Sequence, residues 1–126
     1  MGRKKLTSPS QSELYEQLSK LLVPEFILNN FEIYGVNEFK EYWQIELREK
    51  EHLIPTALQG ESEVVLDGFC TPIQVLSHSF SMKPVYLKIY RRRWKLAGQN
   101  TFRSNEYDLT LKGLKIVPEL GVFLKE

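Results

Sequence analysis

"VYLKIYRRRWK", residues 85–95, carries five cations and no acid in eleven positions. It opens as a β-strand, with Val85, Leu87 and Ile89 alternating with Tyr86, Lys88 and Tyr90. Successive side chains of a strand point to opposite faces. Carried through the whole stretch, the alternation places Val85, Leu87, Ile89, Arg91, Arg93 and Lys95 on one side. The other side holds Tyr86, Lys88, Tyr90, Arg92 and Trp94. The first side starts apolar and ends charged. It predicts a strand that leaves the core partway and projects its basic end into solvent. The second alternates aromatic and cationic groups.

Both patterns suit nucleic acid. Lysine and arginine neutralise phosphates and release counterions. Arginine also forks onto a guanine edge, and a two-stranded ribbon fits the major groove. Tyrosine and tryptophan stack on unpaired bases. Two other readings stay open: an acidic protein surface as the partner, and a solvated strand with lysines guarding an edge.

Outward from this stretch, Ser10 and Glu13 have the spacing of a capping box. Leu14, Leu18, Leu21 and Leu22 follow at helical spacing, so a helix is expected from about residue 11 to 22. Pro24 ends it and suits the start of a short second helix, "PEFILNNF". Residues 31–36 and 42–47 read as a hairpin, with Trp43, Ile45 and Leu47 sharing one face. "EVVLDGF" and "TPIQVLSHSF" are two further strands. "SMKP" turns the chain into the basic stretch, and Gly98-Gln99-Asn100 returns it to a strand around 101–111. Pro118 is placed to begin a short terminal helix. The expected fold class is α+β: N-terminal helices packed on antiparallel β-hairpins, with a short C-terminal helix. Residues 1–9 are read as a flexible basic arm and 10–126 as a single domain.

The chain has 126 residues, 42% hydrophobic and 12% aromatic, which suits one domain with a modest core. No run reaches the roughly 18 apolar residues of a membrane span. No signal-type apolar stretch follows the basic start, so a cytoplasmic protein with no membrane partner is expected. The formal charge is only +1. Residues 1–80 hold 7 basic and 12 acidic residues, whereas 81–126 hold 10 and 4. That division points to an anionic partner for the C-terminal part, unless the two regions face each other in the fold.

Catalytic constellations are not recognisable. His52 and His78 are isolated, and a single cysteine, Cys70, excludes a disulfide framework and a multi-cysteine zinc site. No glycine-rich phosphate loop occurs. The carboxylates Glu38, Glu41, Glu46, Glu49 and Glu51 are expected to be solvated at the ends and outer face of the hairpin. No enzyme, cofactor or metal is therefore expected.

The segments "LLVPEFILNNFEI", "IELREKEHLIP", "LDGF" with "TPIQV", "KPVYLKIYRRRW" and the closing "FLKE" resemble the short N-terminal-region proteins of bacterial insertion-sequence transposases. The resemblance covers residues 13–126, and "VYLKIYRRRW" and "FLKE" are its most specific parts. In that family a second reading frame encodes the DDE-type catalytic domain. The resemblance implies a non-catalytic region acting at the DNA ends of the mobile element. The positions matching the basic motif are Tyr86, Lys88, Arg91, Arg92, Arg93 and Trp94. "SHSFSMKP" stands where the family has a longer charged turn, and "SNEYDL" where it has a Trp-containing segment. A more distant likeness is to transposases whose hairpin holds zinc through paired cysteines. Here packing by Trp94 and Phe102 is expected to replace the metal.

The expected contact is double-stranded DNA, through a strand pair spanning 83–103. Lys83, Lys88, Arg91, Arg92, Arg93, Lys95 and Arg103 would hold phosphates, and the arm at Arg3, Lys4 and Lys5 would add a contact. The alternative is a module that docks the DDE-type catalytic transposase subunit. A homo-oligomer is compatible with either.

Overall fold

The structure, a computed structural model, describes residues 10–109 and 115–117. Helix α1 (Gln11–Leu22) begins with the expected capping box. The Glu13 amide donates to Ser10 Oγ at 3.2 Å, and the Ser10 amide to Glu13 Oε1 at 2.8 Å. These bonds hold the Glu13 carboxyl below its ordinary pKa. Helix α2 (Glu25–Leu28) is a single turn stopped at Asn29.

From there the chain is β. Strands β1 (Phe31–Glu38) and β2 (Trp43–Glu49) form the expected antiparallel hairpin. After a 3-10 turn at Thr56–Leu58 come β3 (Val64–Phe69), β4 (Ile73–Phe80), β5 (Lys83–Tyr90), β6 (Arg92–Leu96) and β7 (Lys115–Val117). One sheet has the order β1-β2-β5-β4-β7; the other pairs β3 with β6.

The α+β expectation, with N-terminal helices packed on antiparallel hairpins and a C-terminal helix, is thereby corrected. The described chain is mostly β. None of α1's residues is buried, so this helix does not cover the sheet, and only the single turn of α2 packs its Ile27 on the core. Strand β5 runs parallel to β2, with Ile45 beside Leu87 and Leu47 beside Ile89, so the sheet is mixed. The 85–95 stretch is not one strand either. It breaks at Arg91, and β5 and β6 lie in different sheets. Nor does 83–103 form a hairpin. Among the described residues, the returning chain beyond β6 pairs with it only through a Trp94–Arg103 bridge. The partner of β6 is β3. The helix expected from Pro118 and the arm at residues 1–9 lie outside the described residues.

Register explains the core. Ile45 and Leu47 of β2, Val85, Leu87 and Ile89 of β5, Val75 of β4 and Phe31 of β1 share one face and are all buried. Val23 and Ile27 close over them with Tyr107 and Leu109. Each fully buried aliphatic contributes about 1.5–3 kcal/mol relative to exposure. The cover is partial. Val36 stands opposite Ile45, on the core side, yet remains exposed. Helix α1 is tethered at its end, where His78 Nε2–H donates to the Leu21 carbonyl at 3.0 Å. Its Leu14, Tyr15, Leu18 and Leu21 stay in solvent.

The β4–β5 connection is a two-residue turn in which Ser81 and Met82 have φ of +54° and +68°. Positive φ at both central positions defines the hairpin turn whose twist matches the flanking strands, and it favours glycine at the second. Met82 is 99% exposed, so no packing compensates the left-handed backbone. Met82→Gly should stabilise the protein by about 0.5–1 kcal/mol, read as a higher midpoint in chemical denaturation. Gly68, at φ +74°, serves a different purpose. It sits in the β3 irregularity between Leu66 and Phe69, where a left-handed residue realigns the strand with β6.

Candidate nucleic-acid interface

The seven predicted cations divide according to which sheet carries them and which side of it they occupy. Lys83 is taken up at the sheet end. Its Nζ donates to Glu38 Oε2 at 2.9 Å and to the Phe39 carbonyl at 2.8 Å, and it lies 5.4 Å from the Trp43 ring. Lys88 is half-buried on the outer face of the large sheet, 5.6 Å from the Tyr90 ring. Arg91 occupies the break between the sheets. It donates to Glu106 Oε2 at 2.9 Å and to the Asn105 carbonyl at 3.1 Å.

Arg92 is buried, at 9% exposure. Its backbone amide donates to Glu49 Oε1 at 2.8 Å and its Nε to the Glu49 carbonyl at 2.6 Å. Its guanidinium lies 4.9 Å from the Phe69 ring. Glu49 is itself completely buried. It also accepts from Asn105 Nδ2 at 2.9 Å and from the Tyr107 hydroxyl. The expectation that this carboxylate is solvated is corrected. It is the hub that fastens the end of β2, the start of β6 and the 105–107 segment together. A buried carboxylate persists only with such donors. Burial, with Glu49 alongside, pushes the Tyr107 hydroxyl up from its ordinary range, partly offset by Arg91.

Three cations remain toward solvent on the β3–β6 ribbon. Arg93 and Lys95 project from the side of β6 opposite Arg92 and Trp94. The Arg93 guanidinium lies 4.3 Å from the centre of the Phe102 ring, and Lys95 Nζ 5.9 Å from it. Arg93 is steadied from behind by Asp67. Nε donates to the Asp67 carbonyl at 2.9 Å, and an Nη stands 3.5 Å from its carboxylate. Arg103 is exposed, and it donates from Nη1 to the Phe102 carbonyl at 3.2 Å. Directly opposite Trp94 in the bridge, it belongs to the reverse side of the ribbon. Among the described residues, no carboxylate lies within ion-pair distance of Lys95 or Arg103.

The structure therefore uses Lys83, Arg91 and Arg92 to hold the chain together and leaves Arg93, Lys95 and Arg103 on the ribbon. Trp94 goes to the interior, whereas Phe102 is 40% exposed and collects cations. The sequence pattern alone points to packing for Phe102. Strand parity offers a signal: opposite Trp94 stands Arg103, so Phe102 falls on the side of Arg93 and Lys95.

No helix among the described residues is long and apolar enough to cross a membrane. No family model, no curated protein and no solved structure matches this chain.

Proposed function

We propose that the chain is the non-catalytic N-terminal region of an insertion-sequence transposase and meets the DNA ends of its element through the β3–β6 ribbon. The reading places it in the cytoplasm, beside a DDE-type catalytic subunit. The observation that carries the DNA contact is the convergence of Arg93 and Lys95 on an exposed Phe102 ring. Two residues of extended strand advance about 7 Å, close to two nucleotide steps of one DNA strand. Arg93 and Lys95 are thus spaced for phosphates two nucleotide steps apart, and Arg103 adds a cation on the reverse side. The uneven division of charge along the sequence supports the same reading.

The test is fluorescence anisotropy with labelled DNA cut from the element's ends, titrated at several salt concentrations. Replacing Arg93, Lys95 and Arg103 together with alanine should reduce the slope of log affinity against log salt by about 2–3, since each phosphate contact contributes just under one. The variant should keep its fold, because Arg103 is exposed and Arg93 and Lys95 are only part-buried, with the Arg93–Asp67 pair itself partly solvated. A variant that binds DNA like the wild type but no longer associates with the catalytic subunit would establish docking as the function instead.

A further inference from the structure

We infer that the ribbon takes an unpaired nucleotide, stacking its base on the Phe102–Arg93 pair while Lys95 holds the adjoining phosphate; this rests on the DNA reading above. An arginine reading a duplex extends its fork of N–H groups edge-on into the major groove. Here one side of the fork is engaged: Nε is held by the Asp67 carbonyl at 2.9 Å and Nη2 lies 3.5 Å from the Asp67 carboxylate, which leaves Nη1 for a phosphate but no free Nε–Nη2 edge. Its guanidinium instead lies against the Phe102 ring at 4.3 Å. Such an arrangement offers π surface together with the remaining Nη1 donors. Bases whose faces are accessible stack on aromatic rings and on guanidinium planes, whereas bases inside a duplex have both faces occupied by their neighbours.

Exposure points the same way. A phenylalanine serving only as packing for β6 would be covered, as Trp94 is, but Phe102 remains 40% exposed beside two cations. Lys95, two residues beyond Arg93 on the same side of β6, has no carboxylate partner among the described residues. It supplies the mobile point charge that a phosphate next to the stacked base requires. Stacking of this kind tolerates any base. The predicted ligand class is therefore DNA with an unpaired end, of whatever terminal base, rather than a fixed duplex sequence.

The experiment compares three probes at one salt concentration: a blunt duplex, the same duplex with a short single-stranded tail, and the tail strand alone. A 2-aminopurine in the tail reports stacking through quenching of its fluorescence. The wild type should bind the tailed probe more tightly than the blunt one and quench the 2-aminopurine. Phe102→Leu should lower affinity for the tailed probe roughly tenfold and abolish quenching. It should leave blunt-duplex affinity within about twofold, and Phe102→Tyr should restore both signals. If the blunt duplex binds as tightly and Phe102→Leu is silent, the stacking inference fails while the DNA reading stands. If none of the three probes binds, the DNA reading itself fails, and this inference with it.

Discussion

Glu49→Ala is expected to cost about 4 kcal/mol of folding stability, a large part of the margin of a domain this size. The side chain is completely buried and accepts hydrogen bonds from the Arg92 amide, Asn105 Nδ2 and the Tyr107 hydroxyl. Removing it strands those donors in the interior at about 1–3 kcal/mol each, with relaxation recovering part of the sum. Asn105 Nδ2 keeps its second acceptor, the Leu53 carbonyl at 2.7 Å, so the Arg92 amide and Tyr107 carry most of the loss. Thermal unfolding should fall by roughly 15 °C. Glu49→Gln keeps one oxygen acceptor and should lose about half as much. Tyr107→Phe provides an independent arm through pH. The folded-state hydroxyl is shifted above the ordinary tyrosine value. Its contribution is therefore fully present below about pH 10 and declines as the pH rises past the unfolded-state value. Tyr86 is shifted in the same direction by burial, so both proteins should weaken in alkali. The decline should be steeper in the wild type than in Tyr107→Phe, measured by denaturant midpoints between neutral pH and pH 11. Parallel declines would show that the hydroxyl is not held by Glu49.

Glu49 also marks where the sequence was legible and where it was misread. Alternation placed Trp43, Ile45 and Leu47 on one face of β2, and one more step of the same period lands on Glu49. The parity that identifies the core strand thus put a carboxylate in the core. A carboxylate's ordinary preference for water argued otherwise. What settles the matter is a set of donors from residues 43 to 58 positions away, and local pattern contains no information about them. Helix α1 was readable because its cap and apolar spacing are local. Its packing was not, because that depends on whether the sheet offers it a face. The parallel β2–β5 pairing joins strands separated by the 3-10 turn, β3 and β4. Period-two patterns give no strand order, so an all-antiparallel set of hairpins was the natural expectation; it holds for β1–β2 and β4–β5 and fails at the β2–β5 and β3–β6 pairings.

The arginine run is likewise divided between interior and surface, and the division is measurable. In an unbroken strand Arg91 and Arg93 share a side and Arg92 faces the aromatic one, which alone does not say which side is buried. The break at Arg91 decides it by passing the chain into the second sheet, where Arg92 and Trp94 turn inward and Arg93 and Lys95 outward. Arg92→Ala should therefore destabilise the protein by about 3 kcal/mol. It removes a charged donor from the buried Glu49 carbonyl, worth about 1.5–3 kcal/mol, together with the contact to Phe69 and the packing of its aliphatic stem. Arg93→Ala loses a partly exposed ion pair and one bond to a carbonyl, and should cost no more than about 1 kcal/mol. If the ribbon meets DNA as proposed, the order reverses there: measured on folded protein at low temperature, Arg93→Ala should flatten the salt dependence by about one unit, and Arg92→Ala should leave it unchanged. Arg92→Met tests the mechanism further, because it retains the apolar stem but leaves the Glu49 carbonyl without its donor. It should recover only part of the lost stability. Full recovery would mean that packing, not the hydrogen bond, fixes the junction of the two sheets. Equal losses of stability at Arg92 and Arg93 would mean that the run lies along one exposed strand, and the division of labour drawn from its geometry would fail.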